Sequence, residues 1–152
     1  MGCTIAVPVL LFVLINWIFW ALLSALFAGL TAILAKIGVK GIDSNLATAI
    51  RTTVILVFAW SVALMSQTQK LNSISKRTLL FLVLSGLATG ASWLCYFKAL
   101  QLGDASKVAP VDKLSVVVAI ALAALFLHEP LTWHHWTGGT LIVSGAIIIA
   151  WS

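Results

Sequence analysis

Five long stretches of this chain carry no charged residue, and they constrain its fold more than any other feature. They cover residues 1–35, 52–69, 78–97, 114–127 and 130–152. A helix crosses about 30 Å of hydrocarbon with about 20 apolar residues, and each stretch reaches that length once its flanks are counted. Strands of membrane barrels alternate over short segments, whereas these stretches are continuous. We therefore predict an all-α, polytopic membrane protein with five transmembrane helices.

The helices are expected at about 17–36, 45–65, 78–98, 108–127 and 134–151. Together they make one five-helix domain, residues 17–151. Residues 1–16 are an apolar N-terminal extension that either lengthens the first helix or lies in the membrane interface. The segments Asp43 to Asn45 and Gly103 to Ser106 are expected to cap the second and fourth helices.

Composition agrees with a bilayer as the solvent. The chain is 62% hydrophobic and 9% charged, against about 45–50% and about 25% in soluble domains. We therefore expect a multi-pass protein of the inner membrane, with the lipid bilayer as one partner. The net charge of +5 comes from lysines and arginines scattered over loops and helix ends. Because they form no basic stripe, nucleic acid is not an expected partner.

A polar stripe runs along the third predicted helix. At 100° per residue, Ser85, Thr89, Ser92 and Tyr96 fall within about 60° of one another, and Trp93 lies beside them. One interpretation is that the hydroxyls bond their own backbone carbonyls and the stripe merely packs. The other is that the stripe faces an aqueous cavity and forms a substrate pathway.

The fourth predicted helix repeats this pattern more weakly. Asp112, Ser115 and Ala119 share a face, whereas Lys113 points about 100° away from Asp112. Pro110 is expected in the first turn, where its missing N–H costs little. A carboxylate this close to hydrocarbon is expensive, so Asp112 either lines the pathway or matches the positive end of the helix dipole.

Four charged residues near predicted helix ends are further candidates: Arg51, Lys98, Lys113 and Glu129. Arg51 cannot lose its charge, so it must reach lipid headgroups, a carboxylate such as that of Asp112, or an anionic solute. Five glycines are predicted to lie on helix-packing faces: Gly29, Gly86, Gly90, Gly138 and Gly145.

No catalytic motif is present, so the sequence does not indicate an enzyme. The segment "HEPLTWHH" offers possible metal ligands, but its spacing matches no zinc pattern. We therefore predict no metal site and no cofactor.

Three segments resemble a known family: "ALLSALFAGLTAILAKIGVKGIDSNLATAIRT", "GLATGASWLCYFKALQLGDASKVAPVDKLSVVVAIALAALFLHEPLT" and "WTGGTLIVSGAIIIAW". Together they resemble one five-helix EamA-type domain of the drug/metabolite transporter superfamily, in particular its stand-alone bacterial and archaeal subgroup. The chain matches the family pattern at Asn45, Arg51, Trp93, Tyr96, Lys98, Ala109, Pro110, Asp112, Lys113 and Glu129. His128 stands where many relatives have a glycine.

The resemblance implies half of a ten-helix inverted-repeat fold that moves small metabolites by alternating access. A five-helix chain would then need a second copy inserted the other way. Lysines and arginines in the loops are nearly balanced across the membrane, three against two when residues inside helix ends are set aside, which suits dual insertion.

We predict a transporter of small metabolites or drugs, an exporter that acts as an antiparallel homodimer on a small-molecule substrate. The alternative is a non-transporting membrane subunit that packs against partner membrane proteins.

Overall fold

The computed structural model describes the backbone of residues 6–66 and 74–151, and the side chains of residues 17–66 and 74–151. Those residues form helices and connecting turns, with no strand among them. In chain order the helices are α1 (Ala6–Gly38), α2 (Ser44–Ser66), α3 (Lys76–Leu102), α4 (Ala105–Asp112), α5 (Ser115–Phe126) and α6 (Trp133–Trp151). The chain divides into two compact units, residues 1–34 and residues 35–152.

Four segments of the described residues are long and apolar enough to cross a membrane: Trp17–Gly38, Ser44–Ser66, Lys76–Leu102 and Ala105–Phe126. A further helix, α6, has 19 residues and is about 28 Å long at 1.5 Å per residue. The prediction of an all-α polytopic membrane protein is confirmed.

The first helix begins before Trp17. α1 starts at Ala6, so residues 6–16 lengthen the helix, which is one of the two alternatives for the N-terminal extension. Residues 1–5 lie outside the described part of the chain.

The fourth predicted helix is interrupted. It starts at Ala105, earlier than expected, so Pro110 is the sixth residue of α4 and not part of its first turn. Proline has no N–H to donate to the carbonyl four residues earlier. Just beyond it the chain tightens into bonds spanning three residues, from Leu114 N to Val111 O at 3.0 Å and from Val117 N to Leu114 O at 3.0 Å. The span is therefore two helices, α4 and α5, joined at Lys113 and Leu114.

Helix caps follow the sequence in part. The Asp43 carboxylate accepts hydrogen bonds from Asn45 N and Leu46 N at 2.9 and 3.2 Å, and so caps α2 as expected. Asp104 occupies the N-cap position of α4, but its side chain makes no capping hydrogen bond. Ser75 caps α3 by accepting from Thr78 N at 3.1 Å.

A small core forms in the unit of residues 35–152 where α3 ends and α2 begins. Its buried members are Ala35, Val39, Ala47, Phe97 and Leu100. The Lys36 ammonium group donates to two carbonyls at the C-terminus of α3, Leu100 O and Gly103 O, both at 2.7 Å. The last carbonyls of a helix have no partner within the helix, so Lys36 satisfies two of them and fixes the end of α3.

Most large apolar side chains of the spans face outward. Phe58 in α2 is 70% exposed and Leu87 in α3 is 67% exposed. In water so much apolar surface would be unstable, whereas hydrocarbon solvates it. The exposed spans are therefore what a membrane-embedded bundle requires.

Candidate functional site

A cleft of about 360 Å³ lies among α3, α4 and α6. Three predicted pathway residues line it: Ser92 and Tyr96 on α3, and Asp112 on α4. Its other lining residues are Cys95, Ala99, Lys107, Val108, Val111 and Ala150. The cleft thus combines two hydroxyls, a carboxylate and an ammonium group with apolar walls, a composition typical of small-molecule sites.

Lys107 is a cleft residue that sequence reasoning missed. The prediction began the helix at residue 108 and left Lys107 in a loop, whereas α4 begins at Ala105 and carries Lys107 along the cleft. Asp104, a residue type favoured at helix starts, was the signal for the earlier start.

The N-terminal half of the α3 polar stripe, Ser85 and Thr89, does not line this cleft. Ser85 and Thr89 are exposed, and the Thr89 hydroxyl donates to Ser85 O at 2.9 Å. At Thr89 the first interpretation applies, because the hydroxyl donates its hydrogen bond to a backbone carbonyl of its own helix. The stripe is therefore divided, with its Ser92 and Tyr96 end in the cleft.

The interruption of the fourth span also separates the face predicted for Asp112, Ser115 and Ala119. Ser115 is the exposed first residue of α5 and does not line the cleft. Ala119 lines another cavity, of about 590 Å³, together with Glu129 and His135. A helical wheel assumes an unbroken helix, and this segment is not one.

Arg51 lies over aromatic rings. Its guanidinium carbon is 4.3 Å from the centre of the Trp93 ring and 5.5 Å from that of Phe97. A cation over an aromatic face is attracted by the ring quadrupole. This contact joins α2 to α3 and accounts for Trp93, which the wheel had placed beside the polar stripe.

Asp112 pairs with its neighbour Lys113 and not with Arg51. The Lys113 Nζ lies 3.4 Å from Asp112 Oδ2, and this is the ion pair found among the described residues. The two residues were predicted to point about 100° apart on the helix, but the lysine side chain is long and flexible enough to reach the carboxylate. At that length, and with Lys113 57% exposed, the pair contributes little stability.

The remaining charged candidates lie outside the cleft. The Lys98 ammonium group donates to the Gln101 side-chain oxygen at 3.2 Å, and Gln101 in turn donates to Ile42 O at 3.0 Å. Glu129 follows His128, which has a positive φ of 54°.

The predicted packing glycines meet nothing within the described residues. A Cβ built on Gly29, Gly86, Gly90, Gly138 or Gly145 would have no atom within 4 Å. In α6 the buried small residues are Gly139 and Ala146, each one position beyond a predicted glycine. Each of these positions therefore has room for a side chain among the described residues, and Gly90 borders a groove lined by Thr48 and Thr52 of α2.

Residues 15–151 match the EamA-like transporter family. The chain is 57% identical over 136 residues to a protein of Sinorhizobium sp named "Uncharacterized transporter in cobO 3'region", covering 89% of this chain and 96% of that protein.

Two further relatives match over shorter regions. "Uncharacterized transporter YvbV" of Bacillus subtilis (strain 168) is 38% identical over 72 residues, 47% of this chain and 23% of its own length. "Probable 4-amino-4-deoxy-L-arabinose-phosphoundecaprenol flippase subunit ArnE" of Aeromonas salmonicida (strain A449) is 29% identical over 69 residues, 45% of this chain and 60% of its own length. No solved structure matches the chain.

Proposed function

Because the chain belongs to the EamA-like transporter family, we propose that this multi-pass membrane transporter exports small metabolites or drugs by alternating access. The cleft among α3, α4 and α6 carries the proposal. It places Ser92, Tyr96 and Asp112 on one surface of a membrane bundle, so polar groups that are costly in lipid have a solute to bind.

The α3 hydroxyls of the cleft bind the solute, and Asp112 acts as a titratable, proton-coupled switch. A carboxylate in this position changes its charge on protonation and so changes its preference for an open or closed cleft. The interruption at Lys113 and Leu114 directly follows Asp112. Such a joint allows α4 and α5 to tilt separately as the cleft opens and closes.

Flux from proteoliposomes tests this function. Vesicles are loaded with a defined mixture of amino acids, nucleosides, carboxylic acids and ethidium, and release of each compound is followed by mass spectrometry with and without a proton gradient. We expect at least one compound to leave faster than from protein-free vesicles, with a pH-dependent rate. Asp112→Asn should abolish that pH dependence, because the amide does not titrate.

Asp104→Asn is the matched control. Asp104 also stands near the start of the fourth span, but its side chain makes no cap bond and does not line the cleft. It should transport like the unmodified protein. Transport by Asp112→Asn that is equally fast and equally pH-dependent would remove the proposed role of Asp112.

We propose further that two copies, inserted in opposite orientations, form the transporting unit. Five crossings per chain would make ten in such a pair, and among the described residues Gly86 on α3 and Gly138 and Gly145 on α6 have open space that a partner would fill. Among the described residues the cleft is lined by α3, α4 and α6, and we propose that a second copy closes its open side.

The alternative function is that of a subunit that does not transport by itself. It draws support from the relative whose name identifies it as a flippase subunit. Purified chain alone discriminates the two, since a subunit dependent on another protein would release none of the loaded compounds.

A further inference from the structure

Arg51 is a permanent charge well inside a membrane span. It is the eighth residue of α2, which places its Cα about 10 Å along the axis from the helix start at 1.5 Å per residue. Trp93 lies nine residues before the end of α3, about 13 Å from that end by the same rise. The charge and its aromatic partner therefore meet at similar depth, below the end of the bundle where α2 begins and α3 ends.

No acidic side chain neutralises this charge. The chain has four acidic residues, Asp43, Asp104, Asp112 and Glu129. All four belong to the described residues, and none forms an ion pair with Arg51, since the ion pair found there is Asp112 with Lys113. Asp43 is also engaged in capping α2. A cation held in a span without a carboxylate is expensive, so its retention needs a cause.

The aromatic contact positions Arg51 without using its hydrogen-bond donors. A guanidinium group carries five N–H donors in its plane, and an aromatic ring attracts its face. Within the described residues the Arg51 guanidinium contacts Trp93 and Phe97 and donates no hydrogen bond. Lys36 and Lys98 differ, because their ammonium groups are bonded to Leu100 O and Gly103 O, and to Gln101.

A planar cation with a free fork of donors matches an oxyanion. Carboxylates and phosphates accept two parallel N–H bonds from arginine, and such charge-assisted pairs are about twice as strong as neutral ones. Lys40, Lys98 and Lys107 lie near the same end of α2, α3 and α4, and their positive charge would raise the local concentration of anions.

We propose that Arg51, held by Trp93, binds the carboxylate or phosphate of the transported molecule. This rests on the proposed transport function and deepens it by naming an anionic substrate class. The same chemistry occurs on a water-soluble solute and on a lipid headgroup, and the test separates these two sources.

The chain has only two arginines, which makes a direct test possible. Protein labelled with ¹⁵N at arginine Nε and placed in phosphatidylcholine nanodiscs should give two side-chain N–H signals, assigned with Arg51→Lys and Arg77→Lys. Arg77 is the internal control, because it too lies near a ring, 6.0 Å from that of Phe81, but at the second position of α3. Phenyl phosphate and benzoate are titrated in, with benzyl alcohol as the neutral counterpart.

Saturable movement of the Arg51 signal alone, with the anions and not with benzyl alcohol, would support a soluble anionic solute. Movement of the Arg51 signal alone when phosphatidylglycerol replaces part of the phosphatidylcholine would support a lipid headgroup. If neither arm moves the Arg51 signal, or if both arginine signals move together, the proposal is overturned.

A matched affinity measurement adds a second readout. By calorimetry, Arg51→Lys should bind the effective anion about tenfold more weakly, since lysine loses the bidentate geometry, whereas Arg77→Lys should bind it normally. Binding is measured without transport. Anion binding in a protein that releases no compound would therefore refute the transport function alone, and transport unaffected by Arg51→Gln without anion binding would refute this inference alone.

Discussion

His128 adopts a left-handed backbone conformation directly after the end of α5, with φ at 54°. The position two residues beyond a helix end is usually taken by glycine, which has no Cβ to clash there. In the family pattern that the sequence resembles, a glycine is expected at this position. A glycine at position 128 would adopt this conformation without a Cβ clash.

His128→Gly should therefore stabilise the protein, by about 1 kcal/mol in the free energy of unfolding, because the left-handed conformation costs roughly that much with a side chain. Unfolding in detergent, followed by circular dichroism, measures it. Leu127→Gly is the control, since Leu127 has a φ of −98° and gains nothing from glycine. A lower midpoint for His128→Gly than for the unmodified protein would mean that the histidine side chain contributes more than its backbone costs.

At the scale of elements, the joint between α4 and α5 is the main departure from a regular span. Pro110 lies three residues before Lys113, whose N–H bonds to Pro110 O at 3.1 Å in place of a regular helical bond. The joint directly follows Asp112, so the flexible part of the span adjoins a cleft residue.

Pro110→Ala should restore one helical hydrogen bond, from the N–H at position 110 to Ser106 O, and so stiffen the part of α4 that leads into this joint. A net gain of about 1 kcal/mol per hydrogen bond would slow amide exchange between positions 106 and 114 several-fold, as measured by hydrogen–deuterium exchange with mass spectrometry. Pro130→Ala, in the turn before α6, should leave exchange in this segment unchanged. Unaltered exchange in Pro110→Ala would indicate that packing against α6, and not the proline, imposes the interruption.

At the scale of the whole molecule, the open position at Gly86 of α3 provides a test of self-association. Gly86→Leu adds a side chain where no atom lies within 4 Å, so it should leave the unfolding midpoint nearly unchanged while weakening a dimer that packs through this face. Cross-linking in detergent measures the dimer.

Gly103→Leu provides the contrast for this test. A Cβ there would lie 3.3 Å from Val108 Cγ2, so this variant should lower stability. A dimer fraction unaffected by Gly86→Leu would exclude this face as the contact between copies.

Membrane orientation is a second property of the whole molecule. With Cys3 and Cys95 replaced, Lys40→Cys and Lys70→Cys place single thiols in loops at opposite ends of α2. Lys70 lies outside the described residues and is chosen from the sequence. Because loop charge is nearly balanced, each thiol should react with a membrane-impermeant maleimide from both sides, in similar amounts. Labelling of each thiol from one side only would exclude the antiparallel homodimer.

The sequence by itself determined the class of fold, because the cost of placing charges in hydrocarbon depends on residue type and run length, which are local properties. It also located Ser92, Tyr96 and Asp112 as polar groups within spans, although it joined them to Ser85, Thr89 and Ser115, which lie elsewhere. A helical wheel assumes one unbroken helix. It contains no information on where the helix is interrupted or on which other helix packs against it.

Only the tertiary structure decided which of these groups meet. In it Lys107 and Ala150 line the cleft. Asp112 forms an ion pair with Lys113, and the Arg51 guanidinium lies over the Trp93 ring. Contacts between helices depend on the positions of residues distant in the chain, and a long charged side chain reaches whichever partner those positions bring near. The pattern of charge-free runs thus determines what crosses the membrane, and packing of α2, α3, α4 and α6 determines what a solute would meet there.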